Sequence, residues 1–319
     1  MSLAVFLEVV EIRTKVASIF PFIMGILFSL VYFHEFHPLN TIIFFVGMIL
    51  FDLTTTSINN YMDFKKAKSK VYKYEQNVIG REKIPETLVR NMIFGMLALT
   101  FLIGLYLTWR TGSLLLLMGL VVCFIGVFYT FGPVPLSRMP LGEVFSGMTM
   151  GLGIFAITIY LNTVTQKVFY LDIDFATGTF GLVGHLWAVC AIVLASLPLV
   201  FTISNIMLAN NFRDLETDIE NHRYTLVYYI GRTNGIHLFQ GLMLASYGAI
   251  LIGFLFGLYQ WPILLVFLTL PKIRQNLKEH QASLPHPRSF GYSIKNMILF
   301  NSSYALGLIL CLIWQMLVH

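Results

Sequence analysis

The recurrence of long apolar runs constrains this chain more than any other feature. Nine stretches, at approximately 16–34, 40–58, 91–109, 113–131, 143–162, 185–207, 234–258, 261–273 and 297–318, are predominantly apolar and bounded by polar clusters. Most match the roughly 20 residues that a helix needs to cross about 30 Å of hydrocarbon; 261–273 is the short one. Within that layer no water is available to the backbone, so each run must satisfy its own hydrogen bonds as a helix. The expected fold is therefore all-α: a polytopic membrane protein of nine transmembrane helices, forming one domain over 1–319. Composition agrees, since 57% of the residues are apolar and only 12% charged, with mean hydropathy +0.75. A soluble domain carries about 25% charged residues, so an ordinary cytosolic enzyme, a disordered tail and a disulfide scaffold are all excluded.

Alternating the runs across the bilayer places 19 of the 21 Lys and Arg residues on one side, leaving only Arg110 and Lys167 opposite. The positive-inside rule then predicts a cytoplasmic N-terminus and an outer His319. The net charge of +5 is spread between apolar spans, so no compact basic domain exists for nucleic acid. Anionic membrane lipid or a phosphorylated substrate is the expected partner. Cys123, Cys190 and Cys311 lie singly inside apolar runs, with no metal or disulfide spacing. Glu8 and Glu11 stand where a signal peptide needs positive charge, so no cleaved leader is expected. The long outer loop near 163–184 reads as an interfacial cap, and chemistry is expected on the opposite, carboxylate-rich face.

That face carries an internal echo. The second run ends in Asn59-Asn60-Tyr61-Met62-Asp63 and the sixth in Asn210-Asn211-Phe212-Arg213-Asp214, a repeat of Asn-Asn-aromatic-x-Asp. Asn59 and Asp63, Asn210 and Asp214, and Asp214 and Asp218 are each four apart, so on a helix each pair shares one face, about 6 Å apart along the axis. Two such faces converging would present amide and carboxylate oxygens to one space. Hard oxygen donors of this kind suit Mg²⁺, which is commonly held by one or two carboxylates together with substrate phosphates. Bare carboxylates would repel a diphosphate, whereas a metal ion converts them into its binding site. Lys65, Lys66, Arg81, Arg138, Arg213 and Arg223 are nearby bases able to pair with phosphate oxygens. Asp52 falls on the stripe that contains Thr56, Asn59 and Asp63, but deeper; an intramembrane carboxylate points to function, with a hydrogen-bonded structural role as the alternative.

These residues resemble the UbiA superfamily of intramembrane prenyltransferases over essentially the whole chain. The resemblance rests on Asn59-x3-Asp63, on Asn210-Asn211-x-Arg213-Asp214-x3-Asp218 continuing through Glu220-Asn221 to Thr225-Leu226, and on a third segment. That third segment is Tyr129-Thr130-Phe131-Gly132-Pro133-x-Pro135-Leu136 followed by Leu141-Gly142-Glu143. It is similar to the loop between spans four and five in the 1,4-dihydroxy-2-naphthoate polyprenyltransferase branch. The resemblance implies helices around a central cavity, two Mg²⁺ ions, and an opening to lipid for a prenyl tail. It implies that Asn59, Asp63, Asn210, Asp214 and Asp218 hold Mg²⁺ and a polyprenyl diphosphate, with Lys66, Arg81 and Tyr129 aiding neutralisation. Arg213, Tyr61 and Asp52 complete the expected substrate-binding set. Ala67 and Ser69 stand where a second acidic residue normally follows the first motif, and Phe131 replaces a usual glycine.

The implied reaction moves a polyprenyl group to an aromatic acceptor, 1,4-dihydroxy-2-naphthoate, with loss of CO₂. Other acceptors, 4-hydroxybenzoate or homogentisate, and a different class, a transporter of lipidic anions, are the alternatives. Transporter sites tend to sit near mid-bilayer on broken helices, whereas these carboxylates crowd one interface. Aromatic faces can shelter an allylic cation, with Tyr61, Phe128, Tyr129 and Phe212 the candidates. The eight histidines show no paired spacing and receive no role.

Overall fold

The computed structural model describes residues 1–131, 135–174, 176–220 and 222–318. Gly132, Pro133 and Asn221 of the expected motifs, and the expected outer His319, lie outside the described residues. Among those described, seven helices are long and apolar enough to cross a membrane: Val16–Phe33, Pro38–Lys66, Glu86–Thr111, Gly142–Asn162, Leu186–Arg213, Leu226–Leu255 and Pro287–Val318. Ser113–Phe128 is a shorter apolar helix. The expected short run at 261–273 is a 3-10 helix, Trp261–Thr269, that continues as an α-helix over Leu270–Ser283. It therefore extends ten residues further than apolarity alone suggests, because the added turns are polar. All nine expected runs are thus helical, and the chain is an integral membrane protein.

The fold is helical as expected, and within it the stretch expected as an interfacial cap forms one antiparallel hairpin, β1 Phe169–Asp174 with β2 Thr179–Gly184. Its strands alternate apolar and polar residues, Phe169, Leu171 and Ile173 against Tyr170, Asp172 and Asp174, which is the period of a two-faced strand.

Helix packing follows membrane rules. Lipid tails remove the hydrophobic drive between helices, so close approach depends on small residues. Gly147 and Gly151 lie on a π-helical stretch of the Gly142–Asn162 span, facing Leu186–Arg213. A Cβ on Gly147 would stand 2.3 Å from Ser204 Oγ, and one on Gly151 2.6 Å from the backbone nitrogen of Val200. Phe28, Phe155, Leu199, Phe212, Phe239 and Tyr304 build the main core between the spans. The Tyr259 and Tyr304 hydroxyls meet at 2.7 Å, and Tyr304 donates to the Ala195 carbonyl, so the buried phenols are satisfied. Conversely Phe94, Leu99, Phe101 and Leu102 remain exposed along Glu86–Thr111, as a lipid-facing surface requires.

At the end of the bundle where Pro38–Lys66 and Leu186–Arg213 finish, two connections fold over. The first, after Lys66, contains a π-turn, Tyr72–Gln76, and the short helix Val78–Arg81. Asn77 caps that helix through the Ile79 amide and donates to the Asn60 carbonyl, tying the connection to the span it follows. The second contains Leu215–Glu220 and leads to Leu226–Leu255, whose first turns are separated from the rest by Gly231 at φ 74.

Candidate active site

The two motif segments converge through an arginine. Asp63, on the last turn of Pro38–Lys66, lies 3.6 Å from Nη1 of Arg223, and Asp218, on Leu215–Glu220, lies 3.5 Å from its Nε. The Asp63 and Asp218 side chains are only 13% and 10% exposed, so this charge cluster is largely withdrawn from solvent. The Arg223 backbone amide donates to the Asp218 carbonyl, so the turn itself sets the guanidinium beside the carboxylate. At these separations the contacts are ion pairs rather than full hydrogen bonds, and Arg223 Nε has no hydrogen-bond partner.

Electrostatics record the crowding. Burial pushes the Asp218 carboxyl up to about 6; Arg223 opposes the rise, while Asp214 and Asp63 add to it. For Arg223, burial works against the charge, but Asp63 and Asp218 overcome it and leave the group above its ordinary range. Arg138 and Lys66 contribute further positive charge beside Asp63. Tyr72, which sequence reasoning passed over, is pushed up to about 12 by burial, with Asp63 adding to the effect. Its place in a connection without recognisable pattern left no signal to find it. Arg223 had a signal, proximity to the second motif, but its role as the shared partner depends on tertiary packing.

The remaining expected residues divide into several settings. Asn59 accepts a 3.0 Å hydrogen bond from Thr130 Oγ1, so the end of the second run touches the end of the fourth. Tyr129, beside it, is half-buried, and its hydroxyl reaches toward the Gly142 carbonyl at 3.4 Å. Asp214 is half-exposed and turned onto Arg213, whose guanidinium grips it at 2.6 Å from two nitrogens and lies over the Phe290 ring. Asn210 ends the same helix, and its carbonyl accepts from the Asp214 amide. Each Asn-Asn doublet places its second member in the framework: Asn60 donates to the Val9 carbonyl and to Glu11, and Asn211 to the buried Glu143 at 2.6 Å.

Four expected residues face elsewhere. Arg81 is exposed and pairs with Glu8 at 2.6 Å and Glu82 at 3.1 Å, on the N-terminal side of the connection. Tyr61 points to Glu86 and lies beneath Lys65. Asp52 is held by Lys15 at 2.7 Å and by Ser18, with Thr56 also bound to the Lys15 ammonium, a closed cluster that joins the first two spans. Phe212, offered as a cation shelter, is fully buried in the core against His280.

The donor set can be tested against a metal-diphosphate. Among the described residues no three acidic, histidine or cysteine side chains gather closely enough to cage a metal. Two buried carboxylates, amide oxygens and a buried guanidinium N–H without an acceptor are present instead. That set fits Mg²⁺ shared with phosphate oxygens, since the ion takes few protein ligands and Arg pairs readily with phosphate.

A helical membrane bundle with paired Asn/Asp motifs at one end suits chemistry on an amphiphilic anion, and comparison gives the family. The chain belongs to the UbiA prenyltransferase family, whose model matches residues 18–281, and it is a prenyltransferase. It is 26% identical over 275 residues to 1,4-dihydroxy-2-naphthoate octaprenyltransferase of Bacillus subtilis (strain 168), covering 83% of this chain and 78% of that one. Its fold is similar to that of digeranylgeranylglyceryl phosphate synthase, at TM-score 0.64, 15% identity and 98% of both chains. A UbiA homolog from Archaeoglobus fulgidus, solved with DMAPP and Mg²⁺, matches at TM-score 0.60 and 10% identity over 94% of this chain and 99% of that one. Family membership sets the transporter reading aside.

Proposed function

We propose that this prenyltransferase carries a polyprenyl group from polyprenyl diphosphate to 1,4-dihydroxy-2-naphthoate, with Mg²⁺ and with loss of CO₂, giving demethylmenaquinone in its reduced, quinol form. The observation that supports the site is the convergence of Asp63 and Asp218 on Arg223. The similarity to a naphthoate octaprenyltransferase supports the acceptor. We place the site on the cytoplasmic face of a bacterial cell membrane, where the basic residues collect.

In this reading Asp63, Asp218, Asn59, Asn210 and Asp214 hold Mg²⁺ and the diphosphate. Mg²⁺ held there would supply positive charge to the departing diphosphate. The allylic C–O bond breaks with its electron pair leaving on that diphosphate, so the groups that matter are those meeting negative charge as it grows. Arg223, whose Nε lacks a hydrogen-bond acceptor, would pair with a phosphate oxygen, and Arg138 and Lys66 add positive charge beside it. Tyr129 and the apolar ends of the spans exclude water from the cation. The acceptor ring carbon bearing the carboxylate then bonds to the prenyl carbon, and the carboxylate leaves as CO₂, returning its electron pair to the ring.

The test is turnover by purified protein given polyprenyl diphosphate and Mg²⁺, with the three aromatic acceptors offered separately and products identified by mass spectrometry. Prenylated product with dihydroxynaphthoate, and its disappearance in both Asp63→Ala and Asp214→Ala, is expected. Product from hydroxybenzoate or homogentisate alone would overturn the acceptor, and undiminished turnover in both variants would overturn the site.

A further inference from the structure

The hairpin at the opposite end of the bundle has two chemically distinct faces. Cross-strand pairs Leu171 with Leu182 and Ile173 with Phe180 put aliphatic and aromatic side chains on one face. Asp172 with Gly181 and Asp174 with Thr179 occupy the other, with Tyr170 and Val183 at its base. At the hairpin base the apolar face is seated on protein. Phe169 and Leu171 pack against the cluster of Leu107, Leu114, Leu115 and Tyr160 at the ends of neighbouring spans. Seated on span ends, that face looks along the bundle toward the bilayer. Further out the same face has no protein beneath it, for Phe180 is 81% and Leu182 70% exposed. Leu186 and Trp187, at the start of the membrane-crossing Leu186–Arg213 helix, are exposed next in the chain.

We propose that the hairpin is an interfacial membrane anchor, overhanging the bundle and laying Ile173, Phe180 and Leu182 on the headgroup boundary of the lipid leaflet opposite the active site. Three observations favour lipid as the occupant. The apolar face continues the side that rests on the span ends, whereas Asp172 and Asp174 point away toward water. Trp187 supplies the amphipathic ring that favours a membrane interface, at the point where a span begins. Two six-residue strands expose a face of about 20 by 10 Å. That is roughly a quarter of the ~800 Å² each partner contributes to a stable protein interface, so a second copy is too large an occupant for it.

Spin labels at single cysteines, introduced after replacement of Cys123, Cys190 and Cys311, distinguish the cases in active protein reconstituted into phosphatidylcholine and phosphatidylglycerol bilayers. At Phe180→Cys and Leu182→Cys, collisions with dissolved oxygen should exceed those with a water-soluble nickel chelate, and at Asp172→Cys and Thr179→Cys the order should reverse. Nickel-dominated collisions at 180 and 182 would overturn the anchor. So would dipolar broadening between copies at those positions, which would assign the face to self-association. Retained turnover in each labelled protein shows that the bundle remains folded.

Discussion

Replacing Asp218 with asparagine should make the metal-free protein more stable while it destroys turnover. The side chain is 10% exposed, and its carboxyl moves from its ordinary 3.8 to about 6, chiefly through burial. Its folded form therefore binds a proton more tightly than its unfolded form, and linkage fixes the sign. The stabilising contribution is full below about pH 4 and is lost as pH rises through 6. The displacement corresponds to about 3 kcal/mol at neutral pH, an upper bound for what Asp218→Asn can recover, because Arg223 then keeps only Asp63. Thermal unfolding in detergent with EDTA checks this at pH 4.5 and 7.5. The variant should melt several degrees above the parent at pH 7.5 and close to it at pH 4.5. Added Mg²⁺ and pyrophosphate should narrow the gap at pH 7.5, because ligands stabilise only the form that binds them. A variant that melts below the parent in EDTA at pH 7.5 would refute the reasoning, since it would show the ionised carboxylate to be a net stabiliser.

Arg223→Ala should reduce single-turnover diphosphate release by about 10²-fold or more, the scale of losing one donor to a developing anion, with Arg223→Lys intermediate. Lys15→Ala should destabilise the protein by about 3 kcal/mol by leaving Asp52 charged and unpaired, and the double variant Lys15→Met with Asp52→Leu should recover most of that in a melting assay. In the Asn-Asn doublet, Asn60→Ala should lower the melting temperature with turnover largely kept, whereas Asn59→Ala should lower turnover with melting unchanged. The reverse pattern would show that the doublet's roles have been exchanged.

The spans were legible because bilayer thickness is written directly into run length, and the site motifs because their four-residue spacing repeats at two span ends. The hairpin was legible only in part. Its alternation over 169–174 is plain, yet hydrophobic residues facing lipid look the same in a strand as in an irregular cap. Asp52 was visible as an intramembrane carboxylate, but its partner, Lys15, lies 37 residues away on another span, and only packing brings the two together. Arg81 shows the converse: a base close in sequence to the first motif turns to Glu8, because the Val78–Arg81 helix runs back along the N-terminal segment. Charge density near a motif thus indicates a phosphate site without saying which of the bases belongs to it.

The guanidinium between Asp63 and Asp218 also couples occupancy to shape. Because Arg223 spans a long helix on one side and a surface turn on the other, seating an anion on it weakens the contact that keeps those two pieces together. Occupying the site and loosening the contact between its two pieces then become a single equilibrium, and linkage makes the relation reciprocal. Tightening the bundle from outside, by a covalent bridge between the two pieces or by lateral pressure in the surrounding bilayer, would register as a weaker affinity for diphosphate.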